Sequence, residues 1–299
     1  ELVFHFQKLS MGWIQTFKKK EEGNQMENYT AQKVSDHVWA IHSCTGEIQY
    51  FIEGESKALL QDTSSGMRGL KKLVDSLTDK PIEIILSHGH PDHAMGIQEF
   101  DVPVYLHKDD VEMYRQMRGM DNPGMLSGML GRPVSPEEVI PFDPDFEFED
   151  LKEGDVFDLG GVHVSAWDLK GHTQGSMAFL VEEDGILITG DAANTNTFLF
   201  MPQSSSVEEY KENLERLLSL LDGKYHRVFL SHRDVDSGVR MLQEGIQVCQ
   251  DVMNGKTDAV PFEFLGMHGT MAKTCNPDLT LNDGTYFNMV YLPDRIFKK

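Results

Sequence analysis

Residues 88–93 read His-Gly-His-Pro-Asp-His and follow directly on the apolar run Ile82, Ile84, Ile85 and Leu86. That run has the length and β-branched content of a buried strand. A strand ending in three imidazoles and a carboxylate delivers them to one point at a sheet edge. Imidazole with carboxylate suits zinc, iron or manganese; magnesium and calcium prefer oxygen alone. A structural zinc site would draw more on cysteine, so the cluster implies a metal site that does chemistry. Four unrelated surface polar residues are the bland alternative, and the density of the run argues against it.

Three further segments have the same form. His172 lies in Lys-Gly-His-Thr-Gln-Gly-Ser after the strand-like run from Val162 to Leu169. Asp191 lies in Thr-Gly-Asp-Ala after Ile186-Leu187-Ile188, and His232 in Leu-Ser-His-Arg after Val228-Phe229-Leu230. Each candidate ligand thus follows a short β-like segment, as a site on an α/β scaffold requires. Taken alone, His172 could be a loop histidine and Asp191 a turn residue, since Gly-Asp is a common turn pair. His226 competes with His232, but it precedes its strand and would emerge at the wrong end. His5, His37, His42, His107, His163 and His268 match no motif; His268 is kept as a pocket candidate.

Together, His88, His90, Asp92, His93, His172, Asp191 and His232, in this order, resemble the metallo-β-lactamase fold superfamily of hydrolases. Asp62-Thr63, after Ala58-Leu59-Leu60, resembles the acidic turn that precedes the family's first metal motif. The likeness covers roughly Trp39 to Ser231. It implies an α/β fold, a four-layer αββα sandwich, with two divalent metal ions. Zinc is the expected metal, with iron or manganese as alternatives. The resemblance places His88, His90 and His172 on the first metal, Asp92, His93 and His232 on the second, and Asp191 across both. Two such cations lower the pKa of a shared water from 15.7 toward about 7, which makes a bridging hydroxide available at neutral pH. Asp92 is the catalytic candidate, orienting that hydroxide and passing its proton to the leaving group.

The implied reaction is cleavage of an ester, lactone or thioester of a small molecule, although a shared fold does not fix the substrate. Quorum-signal lactonases of the family carry a tyrosine after the bridging aspartate, where this chain has Asn194, Thr195 and Asn196. Glyoxalase-II-like thioesterases use basic residues near the C-terminus, matched only by Lys273 and Arg295. Zinc β-lactamases of the best-known kind use a thiolate where Asp191 stands. The alternatives are a mononuclear iron persulfide dioxygenase, a phosphodiesterase, or a non-catalytic scaffold. Retention of all seven ligands argues against the scaffold.

The 27 basic and 48 acidic residues give a net charge of −21, which opposes nucleic acid and anionic membrane as partners. Cys44, Cys249 and Cys275 form no CxxC pair and read as free thiols. No stretch is long enough to span a membrane. Lys18–Lys20 follow rather than precede the early apolar residues, unlike a secretory signal, so cytoplasmic residence is expected. Residues 1–25, with Phe4, Phe6, Trp13 and Phe17 in no clear period, read as an N-terminal extension or expression remnant. A dimerisation arm, and hence a homodimer, is the functional alternative. The catalytic domain is expected over residues 26–299.

Strands are expected at Val38–Ile41, Ile48–Ile52, Ala58–Leu60 and Tyr286–Tyr291. Helices are expected from Leu70 to Leu77, from Ser206 to Asp222 and from Val239 to Met253. An insertion at about 107–155 carries Met113, Met117, Met120, Met125 and Met129 among several glycines. Flexible methionines such as Met125 and Met129 suit an adaptable apolar pocket, though they fill a core equally well. Phe198 and Phe200, soon after Asp191, would form an opposite wall. The substrate expected from these residues is a small molecule with an apolar portion.

Overall fold

The computed structural model describes residues 28–233, 235–276 and 279–299. The expected extension at 1–25 lies outside them. Within these bounds the chain groups into two compact units, one of residues 28–151 and 158–162, the other of 152–157 and 163–299.

The first unit holds a seven-stranded sheet in sequence order: β1 (Tyr29–Lys33), β2 (Val38–Ser43), β3 (Ile48–Glu53), β4 (Ala58–Gln61), β5 (Ile82–Ile85), β6 (Val104–Leu106) and β7 (Glu149–Asp150). β1 to β4 pair antiparallel, and β4 to β7 pair parallel. Every position of β4 is buried, which explains why Ala58-Leu59-Leu60 reads as an unbroken apolar run. In the parallel register Leu60 faces Ile84 and Gln61 faces Ile85. Parallel neighbours end at the same sheet edge, so the loops after β4 and β5 emerge side by side. That register brings Asp62 to the metal motif.

Helix α1 (Leu70–Leu77) turns Leu70 and Val74 inward. They join Ile41, Phe51, Leu60, Ile84, Leu86 and Ile97 in one core cluster. Each such fully buried aliphatic side chain contributes about 1.5–3 kcal/mol relative to exposure. The insertion is built on α3 (Lys108–Arg115) and α4 (Asn122–Leu130), numbered after a short α2 (Pro91–Ala94). Tyr114 anchors it, with ring centroids 4.8 Å from Phe142 and 4.9 Å from Phe148. Met117, Met125 and Met129 pack half-buried against this core.

The second unit has a five-stranded sheet of order β13-β11-β10-β9-β8 and a four-stranded sheet of order β12-β16-β15-β14. The first comprises β8 (Val156–Asp158), β9 (His163–Asp168), β10 (Met177–Val181), β11 (Ile186–Ile188) and β13 (Arg227–Phe229). The second comprises β12 (Thr197–Leu199), β14 (Val260–Phe264), β15 (Met267–Met271) and β16 (Met289–Tyr291). β11 and β13 pair parallel, so the segments carrying Asp191 and His232 leave the same edge. Helix α5 (Val207–Leu220) starts at Ser206, which forms a reciprocal capping box with Glu209. Tyr210, Leu214 and Leu217 on its inner face meet Leu187, Val228, Leu242 and Phe287 in the core. α6 (Met241–Met253) supplies Leu242 and Val248 to the same cluster.

The last strand is shorter than expected. Glu244 accepts the backbone N–H of Tyr286 at 2.7 Å and of Phe287 at 3.3 Å, which diverts both from strand pairing. Among the described residues no helix is long and apolar enough to cross a membrane.

Candidate metal centre

The motif after β5 runs through Ser87 and turns into α2, with Pro91 at the first helical position and Asp92 in the first turn. A proline there sets the helical φ without losing a needed N–H, and an acid suits a helix N-terminus. His88 and His93 are buried; His90 and Asp92 are half-buried. His88 Nε2 lies 2.9 Å from His90 Nδ1, so these two ring nitrogens converge.

Asp62 decides which nitrogens are available. It is fully buried and holds a positive φ of 63°, which aspartate tolerates better than most residues. Oδ1 accepts the Ser87 N–H at 2.7 Å, and Oδ2 accepts the Ser87 hydroxyl at 2.8 Å and His93 Nδ1 at 2.7 Å. A carboxylate only accepts, so His93 carries its proton on Nδ1 and presents a lone pair on Nε2. The single hydroxyl proton of Ser87 is committed to Asp62. Its oxygen therefore accepts from His88 Nδ1 at 3.0 Å, leaving the lone pair on His88 Nε2. One buried carboxylate thus sets the tautomer of two histidines. Outer hydrogen bonds of this kind orient and strengthen metal-ligating imidazoles.

Between the two histidines, Gly89 donates its N–H to Asp110 Oδ2 at 3.1 Å. A Cβ at Gly89 would sit 2.8 Å from the Asp110 carbonyl oxygen, so only glycine fits this approach of α3.

In the second unit, His172 Nδ1 donates to the Phe198 carbonyl at 2.8 Å, which again leaves Nε2 with the lone pair. That nitrogen lies 3.9 Å from Asp191 Oδ2, while His232 Nε2 lies 3.2 Å from Asp191 Oδ1. Asn194 donates to the same Oδ1 at 3.2 Å. Tyr210 braces both loops. Its hydroxyl donates to the Ala192 carbonyl at 2.5 Å, and its ring fills the space where a Cβ on Gly171 would lie 2.2 Å away.

The seven candidate donors form two sets: His88, His90, Asp92 and His93 follow β5 in the first unit, and His172, Asp191 and His232 follow strands of the second. Nitrogen-rich sets with carboxylates fit first-row divalent metals, and the outer hydrogen bonds fix the required tautomers.

The pocket candidates fare differently. Phe198 and Phe200 join Phe262 and Phe264 in an aromatic cluster with centroid spacings of 5.1–5.8 Å. The His268 side chain is 77% exposed on β15, 3.8 Å from Glu263, and belongs to neither donor group. Sequence reasoning missed Ser87, Asp110 and Asn194, and saw Tyr210 only as a core residue. Their residue types are common at strand ends, helix starts and turns, so only position reveals them.

The matching family profile, that of the metallo-beta-lactamase superfamily, spans residues 49–232. The chain belongs to the metallo-β-lactamase superfamily. An uncharacterized protein of Mycobacterium leprae is 28% identical over 179 residues, 56% of this chain and 78% of that protein. Acyl-coenzyme A thioesterase MBLAC2 of Gallus gallus is 26% identical over 214 residues, 65% of this chain and 75% of the relative. Among solved structures, a metallo-beta-lactamase from Pontibacter korlensis superposes with TM-score 0.54 at 16% identity, covering 75% of this chain and 99% of its own. A metallo-beta-lactamase family protein of Thermus thermophilus gives 0.52 at 22% identity, covering 70% and 76%. These structures show the fold, and the expected α/β class of the superfamily is observed.

Proposed function

We propose that this chain is a dinuclear metallohydrolase that cleaves an ester, lactone or thioester of a small molecule with an apolar portion. A thioester is the first candidate. One observation carries the proposal: His88, His93 and His172 each have Nδ1 engaged by a neighbouring oxygen, which presents Nε2 as the ligand atom. The likeness to acyl-coenzyme A thioesterase MBLAC2 supports the thioester preference.

Bound divalent cations supply polarisation of the scissile carbonyl and lower the pKa of water at the site to near 7. The chain supplies the rest. His88, His90 and His172 would hold one cation, and Asp92, His93 and His232 the other, with Asp191 as a further ligand. Asp92 is only half-buried, with 34% of its side chain exposed and Oδ2 3.6 Å from His93 Nε2. From that place its carboxylate would take the proton of the attacking water and pass it to the leaving group.

The test is metal content per chain after purification without chelator or nickel resin, followed by a substrate panel. About two equivalents of zinc, iron or manganese are expected. Turnover of an apolar acyl thioester should be lost with chelator and restored by metal. The net charge of −21 disfavours a polyanionic carrier, so an N-acetylcysteamine thioester belongs in the panel beside the coenzyme A thioester. One equivalent of iron with oxygen uptake on a persulfide would overturn the proposal in favour of a dioxygenase. Turnover confined to phosphodiesters would overturn the acyl chemistry.

A further inference from the structure

Glu47, at the turn into β3, is 2% exposed and receives four side-chain hydroxyls. Ser43 and Thr45, from its own turn, donate to Oε2. Ser64 donates to Oε2 at 3.1 Å, and Ser65 donates to Oε1 at 2.6 Å. A buried carboxylate is costly unless each oxygen is satisfied. Here half of its donors come from the loop that begins with Asp62.

That loop is held in an unfavourable backbone shape. Asp62 and Ser64 have φ of 63° and 64°, and Gly66 has φ of 84°. Left-handed backbone at non-glycine residues persists only where the surroundings impose it. Thr63 is fixed from the other side, its N–H and hydroxyl both reaching the His93 carbonyl at 2.7 and 3.0 Å. Glu47 supplies the opposing charge-assisted grip on the next two residues. Asp62, upstream of that grip, determines the lone pairs of His88 and His93.

We infer that Glu47 is a positioning residue of the metal centre, acting through Ser64 and Ser65 to hold Asp62 where it sets the tautomers of His88 and His93. This rests on the metallohydrolase reading. The chain of contacts is continuous and local: carboxylate to hydroxyls, hydroxyls to the strained loop, loop to Asp62, Asp62 to imidazole. Gln keeps the shape of Glu but removes the charge and turns one acceptor into a donor.

The experiment compares wild type with Glu47→Gln, Ser65→Ala, Asp62→Asn and the Glu47→Gln/Asp62→Asn pair. Metal-stripped protein is titrated with cobalt(II) and followed by its electronic spectrum. In the same apo samples, histidine ¹⁵N shifts report the His88 and His93 tautomers. Glu47→Gln should weaken cobalt(II) binding about 10-fold or more and mix the tautomers. Ser65→Ala, which keeps the Glu47 charge and removes one bond, should move both readouts the same way by less. The double variant should bind no more weakly than Asp62→Asn alone, because both changes break one chain of contacts. A purely structural glutamate would lower the melting temperature yet leave cobalt(II) affinity, spectrum and tautomers as in wild type; that result, or additive losses, overturns the inference. Absence of cobalt(II) binding in wild type would instead overturn the metallohydrolase reading, while the apo tautomers would still decide the role of Glu47.

Discussion

Replacing Asp62 by Asn changes one atom and leaves volume nearly constant, so its effect isolates hydrogen bonding. Asp62 accepts three bonds, two on Oδ2 and one on Oδ1. If the amide oxygen takes the Oδ2 position, the NH2 group faces the Ser87 N–H, a donor that cannot rotate away. If the NH2 group takes that position, it faces His93 Nδ1 and the Ser87 hydroxyl. His93 can then comply only by moving its proton to Nε2, the nitrogen that lies 3.6 Å from Asp92 Oδ2. The first arrangement leaves a buried donor unsatisfied, at about 1–3 kcal/mol of stability. The second spoils a metal-ligating atom, which for outer-shell partners costs about 10–100-fold in affinity. Both outcomes lower metal affinity or stability, and 10–100-fold corresponds to about 1.4–2.7 kcal/mol. Titration of metal-stripped Asp62→Asn against wild type, with total metal counted by mass spectrometry, should therefore show metal binding weakened by that factor at the ligands His88 and His93, or a loss of unfolding free energy of about 1–3 kcal/mol. Two equivalents bound as tightly as in wild type, with unchanged unfolding free energy, would refute the tautomer assignment.

Other outcomes follow from the same geometry. Tyr210→Phe should cost about 1–3 kcal/mol in urea unfolding by orphaning the buried Ala192 carbonyl, and an unaltered midpoint would show that bond to be dispensable. Burial, reinforced by the Glu47 charge, pushes the Cys44 thiol up to about 12; at pH 8 roughly one thiol in ten thousand is thiolate, so native Cys44 should resist iodoacetamide until the chain is denatured. The hydrogen bonds from Arg216, at 2.9 and 2.7 Å, hold the Glu153 carboxyl below its ordinary range. A depressed folded-state pKa adds stability above the unfolded value of about 4.3 and loses it as pH falls through the folded value. Both groups are about one-third exposed, so Glu153→Gln should cost only a few tenths of a kcal/mol at pH 7, and less with acidification. A deficit that does not change with pH would exclude this ion pair as its source.

The core periodicity of the fold was readable because burial imposes it. Leu70, Val74, Tyr210, Leu214 and Leu217 appear at helical spacing since each must face its core, and Ser206 with Glu209 announces a helix start through bonds only those side chains make. The strand expected from Tyr286 was misread for a non-local reason. Glu244, on a helix more than forty residues earlier, captures the two backbone N–H groups that would have extended β16. The methionines of the insertion were ambiguous because a flexible thioether side chain satisfies a core or a pocket equally well.

Metal donors were legible for a chemical reason, and their supports were not. A borderline cation accepts few side-chain types, and parallel strand ends are few, so His88, His93, His172 and Asp191 stand out once their flanking strands are recognised. Outer partners obey a looser rule: any acceptor at the right place will hold an imidazole proton. Here a carboxylate serves His93, a serine hydroxyl serves His88 and a backbone carbonyl serves His172. The carbonyl of Phe198 has no sequence signature at all, since every residue has one. Changing the Phe198 side chain should therefore leave the His172 tautomer intact while altering the aromatic cluster. Moving the backbone of β12 should disturb the donor itself. Two substitutions that look alike in the sequence would then fail differently, according to whether the side chain or the backbone holds the donor in place.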